Sequence, residues 1–241
     1  MGTSPFSPPF DSGQVLVSGG SGGIGAAVCG LVAGRGFVPI VGYNTAGGRA
    51  EDIAARCGGM ALHLDLRSEN SIDAVIARLA APDIRLIGVV LAGSPPPALC
   101  PFGKISHEEM TAQLSVNVIG PQRLLAGLVR NCFRKTRQGS VVGVLTKAMG
   151  ENGQDATSGM GAYVIAKYGL TGVLAVLAAS YSWLRVGWVK PGFTETPMLK
   201  SFDERFLTMM RERERFQTPE EVAGLIVEQV LGQTALAGNG V

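Results

Sequence analysis

Residues 14–32 read Gln14-Val15-Leu16-Val17-Ser18-Gly19-Gly20-Ser21-Gly22-Gly23-Ile24-Gly25-Ala26-Ala27-Val28-Cys29-Gly30-Leu31-Val32. The apolar, β-branched start predicts a short strand, the glycines a tight turn, and the last third a helix. Strand, glycine turn and helix together make a phosphate cradle: backbone N–H groups and the positive helix end face the anion, and glycine lets the backbone come close. The chain holds 34 glycines, so a plain flexible loop is the alternative. The position between a strand and a helix favours the dinucleotide cradle.

The alternation continues outward from there. Strands are expected at Val38–Val41, Met60–Leu64, Leu86–Leu91, Ser140–Leu145 and Val186–Val189. Helices are expected at Arg49–Arg56, Ser71–Leu79, about Ser106–Phe133, from Tyr163 on, and from Thr218-Pro219, where threonine caps and proline opens the first turn. Repeated βα units with no internal repeat or linker predict one α/β domain, a single Rossmann-type doubly wound parallel sheet of six or seven strands. Ligands on such a sheet bind beyond the carboxyl ends of the strands. The proline-rich start predicts a flexible tail over residues 1–12, with the domain spanning 13–241.

Composition narrows the class of function. With 46% hydrophobic residues and a formal charge of +2, a full core is available and no nucleic-acid partner is implied. Cys29, Cys57, Cys100 and Cys132 are scattered without metal-ligand spacing and read as free thiols. The first residues lack a basic segment followed by an apolar one, and the long apolar stretch from Ala162 carries Lys167. The expectation is therefore a cytoplasmic protein with no membrane span.

The chemistry centres on Tyr163-Val164-Ile165-Ala166-Lys167. Four residues apart on a helix, the phenol and the ammonium share one face. A nearby cation is expected to lower the tyrosine's pKa and make it a usable proton donor. Alone, the same spacing describes an ordinary amphipathic helix. At the end of the second strand, Gly42-Tyr43-Asn44-Thr45-Ala46 offers no carboxylate to repel a 2′-phosphate, and Arg49 lies nearby. That favours NADP over NAD, although Asn44 and Thr45 also suit a simple turn.

With these pieces in order, the chain from about Gln14 to Leu231 resembles the short-chain dehydrogenase/reductase family, its 3-oxoacyl-ACP-reductase-like members in particular. The resemblance rests on Ser18-Gly19-Gly20-Ser21-Gly22-Gly23-Ile24-Gly25 for the family's glycine turn, Asp65 after the third strand and Leu91-Ala92-Gly93 for its N-A-G. Asn117 in Asn117-Val118-Ile119-Gly120, the Tyr163/Lys167 pair and Pro191-Gly192-Phe193-Thr194 complete it. It implies a catalytic set of Asn117, Thr146, Tyr163 and Lys167, with threonine where the family has serine and Ser158 as a second candidate for that position. It also implies dinucleotide contacts from Ser18, Gly19, Ser21, Gly23, Ile24, Gly25, Asn44, Thr45, Asp65, Leu66, Ala92, Gly93, Lys167, Pro191, Gly192 and Thr194.

The activity so implied is NADP(H)-dependent reduction of a ketone, such as a 3-oxoacyl thioester or similar β-keto compound, to a secondary alcohol. A substrate lid is expected at about residues 192–216, where apolar residues interleave with charges. Leu91 for asparagine and Thr146 for serine keep two alternatives open: a catalytically silent nucleotide sensor, or an epimerase or dehydratase relative. Arg130, Arg134, Lys135 and Arg137 read as a solvated helix end, or as a dock for an acidic acyl carrier protein. His63 and His107 match no catalytic position. Gly169, Gly172 and the alanines of the Tyr163 helix suit close packing, so a homodimer or homotetramer is expected; the short ending from Gly232 leaves a seventh strand short or absent.

Overall fold

Six apolar runs, β1 (Gln14–Ser18), β2 (Val38–Tyr43), β3 (Met60–His63), β4 (Leu86–Leu91), β5 (Ser140–Val144) and β6 (Arg185–Val189), pair in parallel in the order β3-β2-β1-β4-β5-β6. The structure is a computed structural model and describes residues 10–151 and 154–232. Val17 registers with Val41 on one side and Val90 on the other. The central strands β1, β4 and β5 are almost wholly buried, as a sheet covered on both faces requires. The expected doubly wound α/β sheet is thus the fold.

One face is covered by α1 (Gly23–Gly34), α2 (Gly47–Arg56) and α9 (Pro219–Val230), packed over Val15, Val17, Val41 and Val90. The other is covered by α3 (Glu69–Leu79), α5 (Gly120–Leu128) and α7 (Gly161–Ser180), packed over Leu16, Val89 and Val141. The order reverses between β1 and β4, which opens a crevice beyond their carboxyl ends. Gly19 (φ +67°) lies so close to Gly93 that a Cβ would sit 2.6 Å from its Cα, so only glycine fits there.

Element bounds follow the sequence with instructive differences. The helical run expected from Ser106 to Phe133 extends from His107 to Thr136: α4 (His107–Leu114), α5 and α6 (Arg134–Thr136), joined by π-helical turns at Ser115–Ile119 and Val129–Phe133. The first π turn carries Asn117, and such turns re-aim side chains within a helix. The expected N-terminal tail is corrected at its described end. Phe10 is buried in the core, and Arg85 ties the segment down through Ser12 Oγ and Gln14 Oε1. Residues 1–9 and a seventh strand after residue 232 lie outside the described residues.

α7 is long and apolar enough to cross a membrane by length and composition, with a mean hydropathy of 1.6. Its Leu170, Leu174 and Leu177 nevertheless fill the core beneath β5, and Lys167 is wholly buried there. Residues 192–216 fold as a 3₁₀ turn (Pro197–Ser201) and α8 (Glu204–Arg213), capped by Asp203. They enclose a small core of their own, Leu199, Leu207 and Phe216, with Phe193 stacked on Phe216 and Phe202 on Phe206.

Candidate active site

The glycine turn ends in a helix start suited to an anion. Gly22 caps α1 with no side-chain hydrogen bond, and the first turn has no acidic residue. Its N–H groups and the positive end of a 12-residue helix therefore face the crevice unneutralised. Around this start lies a cavity of about 800 Å³ bounded by Ser18, Gly19, Ser21, Gly23, Ile24, Gly25, Asn44, Thr45, Asp65, Leu66, Ala92 and Gly93. Ser18 Oγ accepts from Gly93 N–H at 3.3 Å and ties the ends of β1 and β4 together.

Arg49 and Arg67 border the same cavity, but differently. Asp65 accepts both the Arg67 N–H and its guanidinium fork at 2.9–3.0 Å, which holds its carboxyl below the usual range. Arg49 is exposed and forms no ion pair among the described residues.

A second, apolar cavity of about 480 Å³ opens beside the first and shares Ile24, Ala92, Ser94, Thr196 and Met198 with it. Thr146, Tyr163 and Lys167 meet on its wall, together with Pro191, Gly192 and Thr194; Phe193, Phe202, Phe206 and Met210 close the other side. The Thr146 hydroxyl oxygen accepts from Ala148 N–H at 3.1 Å. Ser158 lines the cavity too. The loop between is stapled by Thr157 N–H to Ala148 C=O at 2.8 Å and by Tyr168 Oη to Met149 C=O at 2.6 Å.

The electrostatics of the pair differ from the spacing argument. Burial pushes the Tyr163 phenol up to about 12, against a smaller downward pull from Thr146. Burial brings Lys167 down to about 7, and its Nζ donates to Val144 C=O at 2.9 Å while standing 5.4 Å from the Tyr163 ring centroid. The expected lowering of the phenol's pKa is thus reversed in the folded chain. Desolvation disfavours both charged forms here and outweighs their mutual attraction.

Asn117 lies apart from both cavities. Its Nδ2 donates to Gln113 C=O and Gln113 Oε1, each at 3.1 Å, so its Oδ1 is turned the other way, buried and without a partner among the described residues. A buried unpaired acceptor of this kind suits a bound water. Gln113, wholly buried, also donates to Pro96 C=O and so fixes the Ser94–Pro97 loop that borders both cavities. Sequence reasoning missed Gln113, Ser94, Lys147 and Thr196. A polar residue at the core-facing position one turn before Asn117 was the only signal for the first.

A family profile described as Enoyl-(Acyl carrier protein) reductase matches residues 19–228. The chain belongs to the short-chain dehydrogenase/reductase family, a family of NAD(P)-dependent oxidoreductases. Among its relatives, the 3-oxoacyl-[acyl-carrier-protein] reductase of Bos taurus is 32% identical over 213 residues, covering 86% of each chain. The 2,5-dichloro-2,5-cyclohexadiene-1,4-diol dehydrogenase of Sphingobium indicum is 29% identical over 220 residues, covering 87% of this chain and 86% of its own. A 3-ketoacyl-(acyl-carrier-protein) reductase from Brucella melitensis, crystallised with NADH, superposes with a TM-score of 0.83 over 93% of both chains at 18% identity, which shows the shared fold.

The residues present fit a nicotinamide dinucleotide: an uncapped helix start above a glycine turn, an adjoining groove, and an apolar cavity where the groove ends.

Proposed function

We propose that this chain reduces a ketone to a secondary alcohol with NADPH, and that Asn117, Thr146, Tyr163 and Lys167 carry the chemistry. The observation that carries the reading is the meeting of Thr146, Tyr163 and Lys167 on the wall of an apolar cavity that shares lining residues with the dinucleotide groove. The bound dinucleotide supplies the hydride that reaches the carbonyl carbon. Thr146, whose oxygen is already engaged by Ala148 N–H, directs its O–H toward the carbonyl oxygen. Tyr163, kept protonated by burial, hands its proton to the same oxygen as charge develops there. Lys167 would hold the nicotinamide ribose of the bound dinucleotide and stabilises the phenolate left behind, and Asn117 Oδ1 receives the water that returns a proton from solvent.

The substrate class is a β-keto compound such as a 3-oxoacyl thioester. The aromatic and methionine lining of the cavity supports an apolar chain or ring next to the carbonyl. The names of the bovine and Sphingobium relatives support keto and hydroxyl substrates respectively. Residues 192–216 form the lid, and its aromatic core makes it a folded unit. The outer face of α7, with Ile165, Tyr168 and Val176 exposed, is assigned to a second copy of the chain.

The test is a panel of β-keto thioesters and cyclic ketones, followed by absorbance with NADPH and NADH side by side. Ketone-dependent loss of NADPH is expected, with NADH less effective; a panel that leaves both nucleotides unconsumed refutes the reading. Arg49→Ala is expected to raise the KM for NADPH about tenfold, the scale of one charge-assisted contact, and to leave that for NADH unchanged. Equal effects on both would remove Arg49 from the 2′-phosphate.

Thr146→Val, which keeps the shape and removes the hydroxyl, is expected to lower kcat about a hundredfold, and Ser158→Ala to change it less than about twofold. The opposite order would transfer the role to Ser158.

A further inference from the structure

Beyond β6 the sheet ladder ends at Val189, yet Gly192, Phe193 and Thr194 bound the cavity beside Thr146 and Tyr163. Something other than a neighbouring strand must hold them. Lys147 N–H holds the Pro191 carbonyl at 2.8 Å, and one residue, 25 positions beyond Gly192, holds the rest. Gln217 Oε1 accepts from Gly192 N–H at 2.9 Å, Gln217 N–H donates to Phe193 C=O at 2.8 Å, and Gln217 C=O accepts from Glu195 N–H at 2.9 Å. The two backbone bonds form a single parallel bridge at Thr194, closing the whole of residues 192–216 into a loop with its ends joined. Thr194 completes the fixture, its Oγ1 donating to Gly192 C=O at 3.1 Å.

We propose that the Gln217 side chain is a positioning residue that clamps Gly192–Thr194 at the nicotinamide end of the groove, so that its carboxamide sets dinucleotide affinity without touching the dinucleotide. The inference rests on the proposed dinucleotide reading. The Lys147 bond ends at the Pro191 carbonyl and the bridge begins at Phe193, so the Gly192 amide between them is held by the Gln217 side chain. A segment held this way presents its dinucleotide contacts already in place, so less ordering is left for binding to supply. The side chain is also what the backbone cannot replace, because any residue but proline at 217 makes the other two bonds.

The decisive variants are Gln217→Leu, which keeps the volume and loses the acceptor, and a double variant E214Q/Q217E. Glu214 Oε2 and Gln217 Oε1 lie 3.5 and 3.8 Å from the point where a Gly192 Cβ would stand. Swapping amide and carboxylate therefore keeps an acceptor at 217 without crowding two charges. Binding is read by fluorescence titration with NADPH, and KM and kcat by its oxidation with an active ketone. In Q217L the Kd and KM for NADPH are expected to rise about tenfold with kcat changed less than about threefold, and the double variant should recover most of the loss.

Q217L binding NADPH as tightly as the unaltered chain, or a double variant as weak as Q217L, overturns the clamp. Hydrogen exchange on the unaltered protein adds a reading that needs no variant. The Gly192 amide should exchange as slowly as those of β5, and exchange at the rate of an exposed loop overturns the clamp. Unaltered protein that binds neither NADPH nor NADH removes the enzyme reading and the clamp together, whereas unchanged binding in Q217L removes the clamp alone.

Discussion

Tyr163→Phe is expected to lower turnover about a thousandfold while leaving the Kd for NADPH within about twofold. The substitution removes one oxygen and no packing. The ring stays against the Thr146 wall, so the glycine turn and groove are untouched. What disappears is the proton donor, and general acid catalysis by a positioned group contributes about 10²–10⁴ in rate. Because burial holds the phenol near 12, the group is fully protonated at neutral pH. Steady-state kinetics and fluorescence titration on the same preparation separate the two effects; undiminished turnover would take the role from Tyr163.

The second large effect is on stability. Lys167 has a folded-state pKa of about 7 against an ordinary 10.5, because burial disfavours its charge. Between those values the unfolded chain binds more protons than the folded one, so stability rises with pH across the window. Below about pH 7 both states are protonated and the cost of the buried ammonium is fully present. Lys167→Met has no such dependence. The unaltered protein, without dinucleotide, is therefore expected to gain on K167M by on the order of 2 kcal/mol as pH is raised from 7 to 9. Urea unfolding of both at several pH values reads the difference. A constant gap would mean that Lys167 stays charged in the fold.

The sheet was legible because its central strands are apolar, β-branched runs, and because a glycine turn can lie between strand and helix in few ways. Ser18, Asp65, Thr146 and Lys167, which the motifs single out, each line one of the two joined cavities. Three things were hidden, each for a physical reason. Spacing places Tyr163 and Lys167 on one face but says nothing of burial, and burial decides the direction of both pKa values. The docking of Phe10 depends on a pocket made by residues far along the chain. Gln113 and Gln217 act through single hydrogen bonds to loops whose course no local pattern reveals.

The central claim is that a hydride leaves a dinucleotide held at the first glycine turn and reaches a carbonyl carbon while Tyr163 protonates the oxygen. NADPH carrying deuterium at the transferred position tests it most directly, with the product alcohol analysed by mass spectrometry. The account predicts one deuteron on the carbinol carbon of the product, formed by the unaltered chain and at most in traces by Y163F. Dinucleotide that binds but is recovered unoxidised across the panel, with every carbonyl compound unlabelled, would contradict it.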